Sequence, residues 1–185
     1  MTVRLAAGHT RRIDVGDVNG HRFLGVASCG FDSDANRIAN EAKWVKGHLV
    51  YAYAALRALA GWRQAAFALT LDGERRKFRG YGVAVANNRA YGGGMLVAPD
   101  AELDDALLDV VTLGEIGKVR FLTAILPKVF DGAHVEQPEI GVDRAGDVHI
   151  EADRPFAVYA DGDPIADLPA TVRLLPRALR MIVPA

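Results

Sequence analysis

Residues 141–183, GVDRAGDVHIEADRPFAVYADGDPIADLPATVRLLPRALRMIV, decide the fold class. Apolar and polar residues alternate there in short stretches, clearest at 148–150, 156–159, 172–174 and 181–183, with turn formers between them. Alternation with a period of two sends successive side chains to opposite faces of a strand. Asp161-Gly162 between two such stretches is a hairpin signal, because both residues tolerate the positive φ of a tight turn.

The pattern continues toward the N-terminus. Residues 65–80 read as a hairpin: Phe67, Leu69 and Leu71 alternate up to Asp72-Gly73, and the polar arm Glu74-Arg75-Arg76-Lys77 returns. Residues 81–87 and 107–113 read as further strands. Residues 9–28 open the chain as a hairpin in which Ile13 and Val15 alternate, Asn19-Gly20 turns and 22–27 return.

Two helices interrupt the strands. Ile38, Ala42, Val45, Leu49, Ala52, Leu56 and Leu59 recur at spacings of three and four, which predicts one long amphipathic helix. Ser33 or Asp34 is placed to cap it, Gly61 to end it, and Gly47 costs it about 1 kcal/mol relative to alanine. A second helix is expected over 115–130, kinked or ended by Pro127. Strands outnumber helices and the connections are hairpins rather than βαβ crossovers. The expected fold is therefore α+β and β-rich: an antiparallel two-sheet β-sandwich with two helices, in one domain over residues 1–185.

Composition narrows the function classes. Half of the 185 residues are hydrophobic, ample for a core, and the net charge of -1 gives no overall pull toward nucleic acid or anionic membrane. The single cysteine, Cys29, allows no internal disulfide and no cysteine zinc site, which suits a cytoplasmic setting. The N-terminal residues lack the apolar stretch of a signal peptide, and the longest apolar run, 49–56, is far short of the roughly 18 residues a membrane helix needs.

Several stretches could carry chemistry. Gly92-Gly93-Gly94 lacks the Gly-Lys-Ser/Thr ending of a P-loop and the spacing of a dinucleotide fingerprint, so spacing alone favours a tight turn. Asp104-Asp105 fits turn chemistry, or a hard-cation site built from a carboxylate and backbone carbonyls. Asp161 and Asp163 sit at a spacing of two, which fits a hairpin or a pair of acids doing acid–base or metal work. The five histidines make no zinc-ligand pair, Ser28 and Cys29 lack a nucleophile elbow, and the basic arm at 75–79 lacks the interleaved aromatics of a single-strand nucleic-acid platform.

Taken in order, these stretches resemble the C-terminal region of the bacterial diacylglycerol kinase and sphingosine kinase-like lipid kinases. Ile13-Asp14-Val15-Gly16, Asn19-Gly20 and Phe23 resemble the opening hairpin, and Gly30-Phe31-Asp32 leads into the long helix. Asn87-Asn88, Gly92-Gly93-Gly94-Met95, Ala98-Pro99-Asp100-Ala101 and Asp104-Asp105-Ala106-Leu107-Leu108-Asp109 resemble the family's run from Gly-Gly-Gly to Asp-Asp-Gly-Leu-Leu-Asp. Gly132 and His134 fit as well, Asp161-Gly162-Asp163-Pro164 is similar to the Asp-Gly-Glu-Pro motif, and 174–184 resemble the closing strands. Asp163 stands where glutamate is usual and Ala106 where glycine is usual.

The resemblance implies a magnesium-dependent transfer of the γ-phosphoryl group of ATP to a lipid hydroxyl, most simply that of diacylglycerol. Sphingoid bases, other lipids or NAD are alternative acceptors, and a non-enzymatic lipid- or partner-binding sandwich is a further alternative. By position, Asp161 is the expected base and Asp163 its neighbour. Asp105, with the backbone oxygens of Glu102 and Leu107, is the expected structural magnesium site. The family's Gly-Gly-Asp-Gly-Thr nucleotide motif does not occur in this sequence, so ATP is expected to be bound mainly by an N-terminal domain absent from the chain, and the isolated chain to be inactive. A piece cut from a longer kinase, with Met1 added, is the expected origin, with a stand-alone relic of such a kinase as the alternative. The expected partners are that N-terminal kinase domain, a lipid at the membrane surface and a second copy in a homodimer, with the enzyme cytoplasmic and peripheral to the membrane when it acts.

Overall fold

A computed structural model describes residues 8–42, 49–90 and 92–183. Eleven strands pair antiparallel: β1 (His9–Val18), β2 (His21–Phe23), β3 (Val26–Gly30), β4 (Ala65–Leu71), β5 (Glu74–Ala86), β6 (Leu108–Gly114), β7 (Ile140–Ala145), β8 (Asp147–Ala152), β9 (Ala157–Ala160), β10 (Asp163–Asp167) and β11 (Ala170–Val183). Their order is β10-β9-β3-β5-β4-β8-β11-β1-β2, with β6 and β7 branching from β5. The N-terminal half of β5 pairs with β4, while its C-terminal half pairs with β3 and β6. The expected β-rich α+β architecture is present, and one long strand belongs to both branches of the sheet.

Two strands expected to be separate, 65–80's return arm and 81–87, are this one strand. Alternation continues through Gly80 and Gly82, where the register against β6 shifts. Likewise 172–174 and 181–183 are parts of β11, which bulges opposite Asp14 of β1, with Arg177 at φ 51°.

The first hairpin departs in the opposite sense. Asn19-Gly20 turns as expected, but the return strand stops at Phe23, and β3 leaves to pair with β5 and β9. The break at Leu24-Gly25 is held by a carboxylate described below.

The long helix is two helices in the described residues, α1 (Phe31–Glu41) and α2 (Leu49–Gly61). Ala42, at ψ 56°, ends α1. Ser33 does not cap the start: it lies inside the first turn, its hydroxyl donating to the Gly30 carbonyl at 2.8 Å. Val45 and Gly47 lie outside the described residues. On α2 the buried face is Ala54, Ala55, Ala58 and Leu59, whereas Leu56, expected inside, is 56% exposed. An almost wholly apolar helix carries no contrast from which to read its inner face.

Residues 118–130 form a helical run of changing pitch: α-helical at Lys118–Arg120, a π turn at Phe121–Ile125 and 3₁₀ at Leu126–Phe130. Pro127 has no N–H to give an α-helical bond, and the preceding Leu126 N–H reaches back five residues to Phe121. The core joins these elements through aromatic contacts. Phe31 packs on Phe121, Trp62 and Tyr81 with ring centroids 5.0, 5.5 and 5.6 Å apart.

Candidate functional site

Asp161 opens the β9–β10 turn at φ 51°, a left-handed conformation that aspartate tolerates better than most residues. Its carboxylate reaches across to the break between β2 and β3. The Leu24 N–H donates to Oδ2 at 2.7 Å, and those of Gly25 and Val26 donate to Oδ1 at 2.8 and 3.2 Å. A Cβ on residue 25 would stand 2.5 Å from Oδ1, so glycine is required for this approach. The same Cβ would stand 3.5 Å from the Asn88 amide nitrogen. Asn87, fully buried, gives its side-chain N–H groups to the Leu24 and Asp14 carbonyls at 3.0 and 3.1 Å. The sequence stretches around 24, 87 and 161 therefore meet at one place.

Asp163 begins β10, exposed and paired with Ala160 of β9, and its side chain makes no hydrogen bond or ion pair with the described residues. It lies next to the same turn but does not share its bonds.

The two Asp-Gly turns, which sequence alone contrasts, are built alike. Asp72 also has a positive φ, 46°, and its carboxylate also accepts backbone N–H groups, from Gly146 and Asp147 at 2.9 to 3.2 Å. They differ in surroundings. Asp161 lies at the end of α1, where Asn40 Nδ2 donates to the Gly162 carbonyl at 3.1 Å. One turn earlier, Asn36 donates to Asp32 Oδ2 at 3.3 Å, and Ser28 donates to the same oxygen at 2.5 Å. Residues four apart share a helix face, so Asp32, Asn36 and Asn40 form a polar ridge along α1.

That ridge borders an apolar cavity of about 280 Å³. Phe31, Ala54, Ala55, Tyr81, Val83, Phe121, Ile125 and Phe130 line it, and Asp32, Asn36 and His134 are its polar edge. Cys29 also lines it, but burial pushes the thiol up to about 12, which makes it a poor nucleophile. Gly92-Gly93-Gly94 is a 3₁₀ turn with Gly93 and Gly94 at φ 72° and 83°; Gly93 touches the cavity, and no phosphate-loop geometry is present.

The acidic loop is held differently. Arg11 pairs with both oxygens of Asp104 at 2.5 and 2.7 Å and, chiefly through that hydrogen bond, holds the Asp104 carboxyl below the usual range. Asp105 accepts from the Leu107 N–H at 3.1 Å and forms an ion pair with Arg144. Between them in this network, Ala106 takes φ 62° and donates its N–H to Asp14 Oδ2 at 2.8 Å. Asp14, 1% exposed, also accepts from the Arg177 N–H at 2.7 Å, so one buried carboxylate fixes both the acidic loop and the β11 bulge. Sequence reasoning assigned Asp14 no role; its only signal was a carboxylate between two core residues of a strand.

Arg144 also lies 3.7 Å from Asp109 Oδ1, while Asp109 Oδ2 is buried with no hydrogen-bond partner among the described residues. Burial, then the nearby charges of Asp100 and Glu102, raise the Asp109 carboxyl above its ordinary value. Among the described residues no three His, Cys, Asp or Glu side chains converge to hold a metal ion. A cation here would rely on Asp105 and backbone oxygens such as those of Glu102 and Leu107, a hard donor set compatible with magnesium or calcium.

Residues 25–183 match the family model described as the YegS C-terminal NAD kinase beta sandwich-like domain. A diacylglycerol kinase of Mycobacterium tuberculosis is 39% identical over 183 residues, covering 96% of this chain and 59% of that protein. A Pseudomonas aeruginosa protein named "Probable lipid kinase YegS-like" is 28% identical, covering 95% and 57%. A crystal structure of a diacylglycerol kinase from Bacillus anthracis matches with a TM-score of 0.65 at 23% identity, covering 94% of this chain and 54% of that one, a likeness of fold. The chain thus spans less than two-thirds of the length of these relatives.

Proposed function

The chain belongs to the YegS C-terminal NAD kinase beta sandwich-like family of the bacterial lipid kinases, and from that membership we propose that it is the acceptor-binding part of an ATP-dependent kinase acting on a lipid hydroxyl, with diacylglycerol as the favoured acceptor. The observation that supports this most is the continuity along α1 between an apolar cavity and the Asp161 turn. Asn36, at the cavity edge, and Asn40, on the turn, are four residues apart, about 6 Å along the axis. Acyl chains fit the apolar lining, and Asp32 and Asn36 offer hydrogen bonds to the polar head.

In this reading Asp161 takes the proton of the acceptor hydroxyl while the hydroxyl oxygen attacks the γ-phosphorus of ATP, and ADP leaves as the bond between the β- and γ-phosphates breaks. A carboxylate has about four lone-pair positions. Three backbone donors orient it and leave room for one hydroxyl. Asp163, exposed beside it, adds negative charge that would favour the emerging proton. ATP would be held mainly by a domain outside this chain. Magnesium at Asp105, Glu102 and Leu107 would neutralise charge and stiffen the acidic loop; Asp105, Asp14 and Arg144 already set that loop's shape.

The test uses the full-length kinase with ATP and diacylglycerol in mixed micelles, alongside sphingoid base and NAD as rival acceptors. Asp161→Asn should lower kcat by about 100-fold or more. Met95→Trp, which narrows the cavity, should raise KM for long-chain diacylglycerol more than for a short-chain one. Activity retained in Asp161→Asn would refute the base assignment. A chain-length-independent response in Met95→Trp would refute the cavity as the acyl site.

A further inference from the structure

A second cleft, of about 380 Å³, opens between the start of α1, the end of α2 and the β8–β9 connection. Its walls carry three arginines, Arg37, Arg63 and Arg154, against one acid, Asp34. Trp62 lines it, 5% exposed, and its indole N–H has no acceptor among the described residues. The Arg154 guanidinium lies 4.9 Å from the ring centres of both Trp62 and Phe156 and donates to the Arg63 carbonyl. Its Nε–H is buried and also lacks an acceptor among the described residues. The exposed Arg63 side chain makes no hydrogen bond or ion pair with them. Arg37 differs, since it pairs with Glu41 at 3.1 Å.

Trp62 and Arg154, each with a buried donor that lacks an acceptor among the described residues, and the unneutralised guanidinium of Arg63 therefore belong to the walls of one cleft. We propose that it binds a phosphate group, with Arg63 and Arg154 as charged donors and the Trp62 ring in the wall beside them. Guanidinium forks match phosphate oxygens in geometry as well as charge. Stacking against two rings holds Arg154 in one orientation before the ligand arrives, so less side-chain freedom is lost on binding. Asp34 and the Arg37–Glu41 pair limit the excess positive charge, which suits a single phosphate better than a polyanion. Free phosphate and a phosphodiester lipid headgroup present the same chemistry. Asp161 does not line this cleft, and the proposal does not rest on the kinase reading.

The experiment follows the Trp62 indole N–H resonance of the ¹⁵N-labelled chain, identified with Trp62→Phe, while inorganic phosphate is added against matched sodium chloride. Phosphate should shift it saturably, and Arg63→Gln or Arg154→Gln should weaken that response by about tenfold. Phosphatidylglycerol vesicles that pellet the chain, and release it when phosphate is added, identify a headgroup site. A phosphate response without pelleting identifies a free-anion site. If phosphate moves the resonance no more than chloride does, or equally in wild type and both arginine variants, the cleft is not a phosphate site. Arg63 is exposed and carries no core contact, so Arg63→Gln tests the proposal even where Arg154→Gln loosens the stacked rings.

Discussion

Ala106 occupies a backbone conformation, φ 62°, that costs an L-residue with a Cβ about 1–2 kcal/mol. Its N–H bond to Asp14 holds it there. Ala106→Gly should therefore stabilise the chain by about 0.5–1 kcal/mol after the greater chain entropy of glycine is subtracted, read as a higher urea midpoint at unchanged m-value. The departure from the family's Asp-Asp-Gly pattern was visible in the sequence; its physical cost needed the dihedral angle. The Asp-Gly turns carry a different lesson. Both were legible as turns, but the backbone N–H donors their carboxylates satisfy lie 74 to 137 residues away in the chain, beyond what local spacing reports. Asp72→Asn should consequently lower stability by about 1–2 kcal/mol through lost N–H acceptors while leaving kcat of the full-length kinase unchanged. Asp161→Asn should show a comparable fall in melting temperature together with the loss of turnover. Equal activity in the two variants would make both residues clamps and nothing more.

At the level of elements, alternation located the strands well because each half-buried strand repeats its pattern every two residues, as β4 does from Ala65 to Leu71. Helices were less legible. The alanine-rich α2 conceals which face is inside, and the π turn at Phe121–Ile125 follows from a missing N–H at Pro127 that hydropathy does not register. The acidic loop depends on several elements at once: Arg11 and Asp14 from β1, and Arg144 from β7. If the loop takes a hard cation, magnesium binds only the folded form and raises its melting temperature by mass action. Calorimetry with and without magnesium should show that increase in the wild-type chain and none in Asp105→Asn. The same increase in both would remove Asp105 from the ligand set.

For the molecule as a whole, the pH dependence of stability has an identifiable contributor in His134. Burial lowers its pKa below the ordinary histidine value, and carbonyls such as that of Val97 only partly oppose this. The Val97 oxygen, 3.1 Å from Nε2, can only accept, so the neutral ring carries its proton there. As pH falls below about 6.5 the unfolded chain takes up a proton that the folded chain refuses, so stability present above that pH is lost progressively below it. The melting temperature should fall as pH drops below about 6.5, and His134→Gln, which can still donate to Val97, should remove that part of the fall. The family was readable from motif order across almost the whole chain. The meeting of those motifs around Gly25 was not, because it depends on β3 leaving the first hairpin. β5 has the last consequence. Because one continuous strand is hydrogen-bonded to β4 along one half and to β3 and β6 along the other, opening of either branch should loosen the other. The strands on both sides of β5 should therefore open as one cooperative unit, with a nick in either branch raising the protease susceptibility of the other.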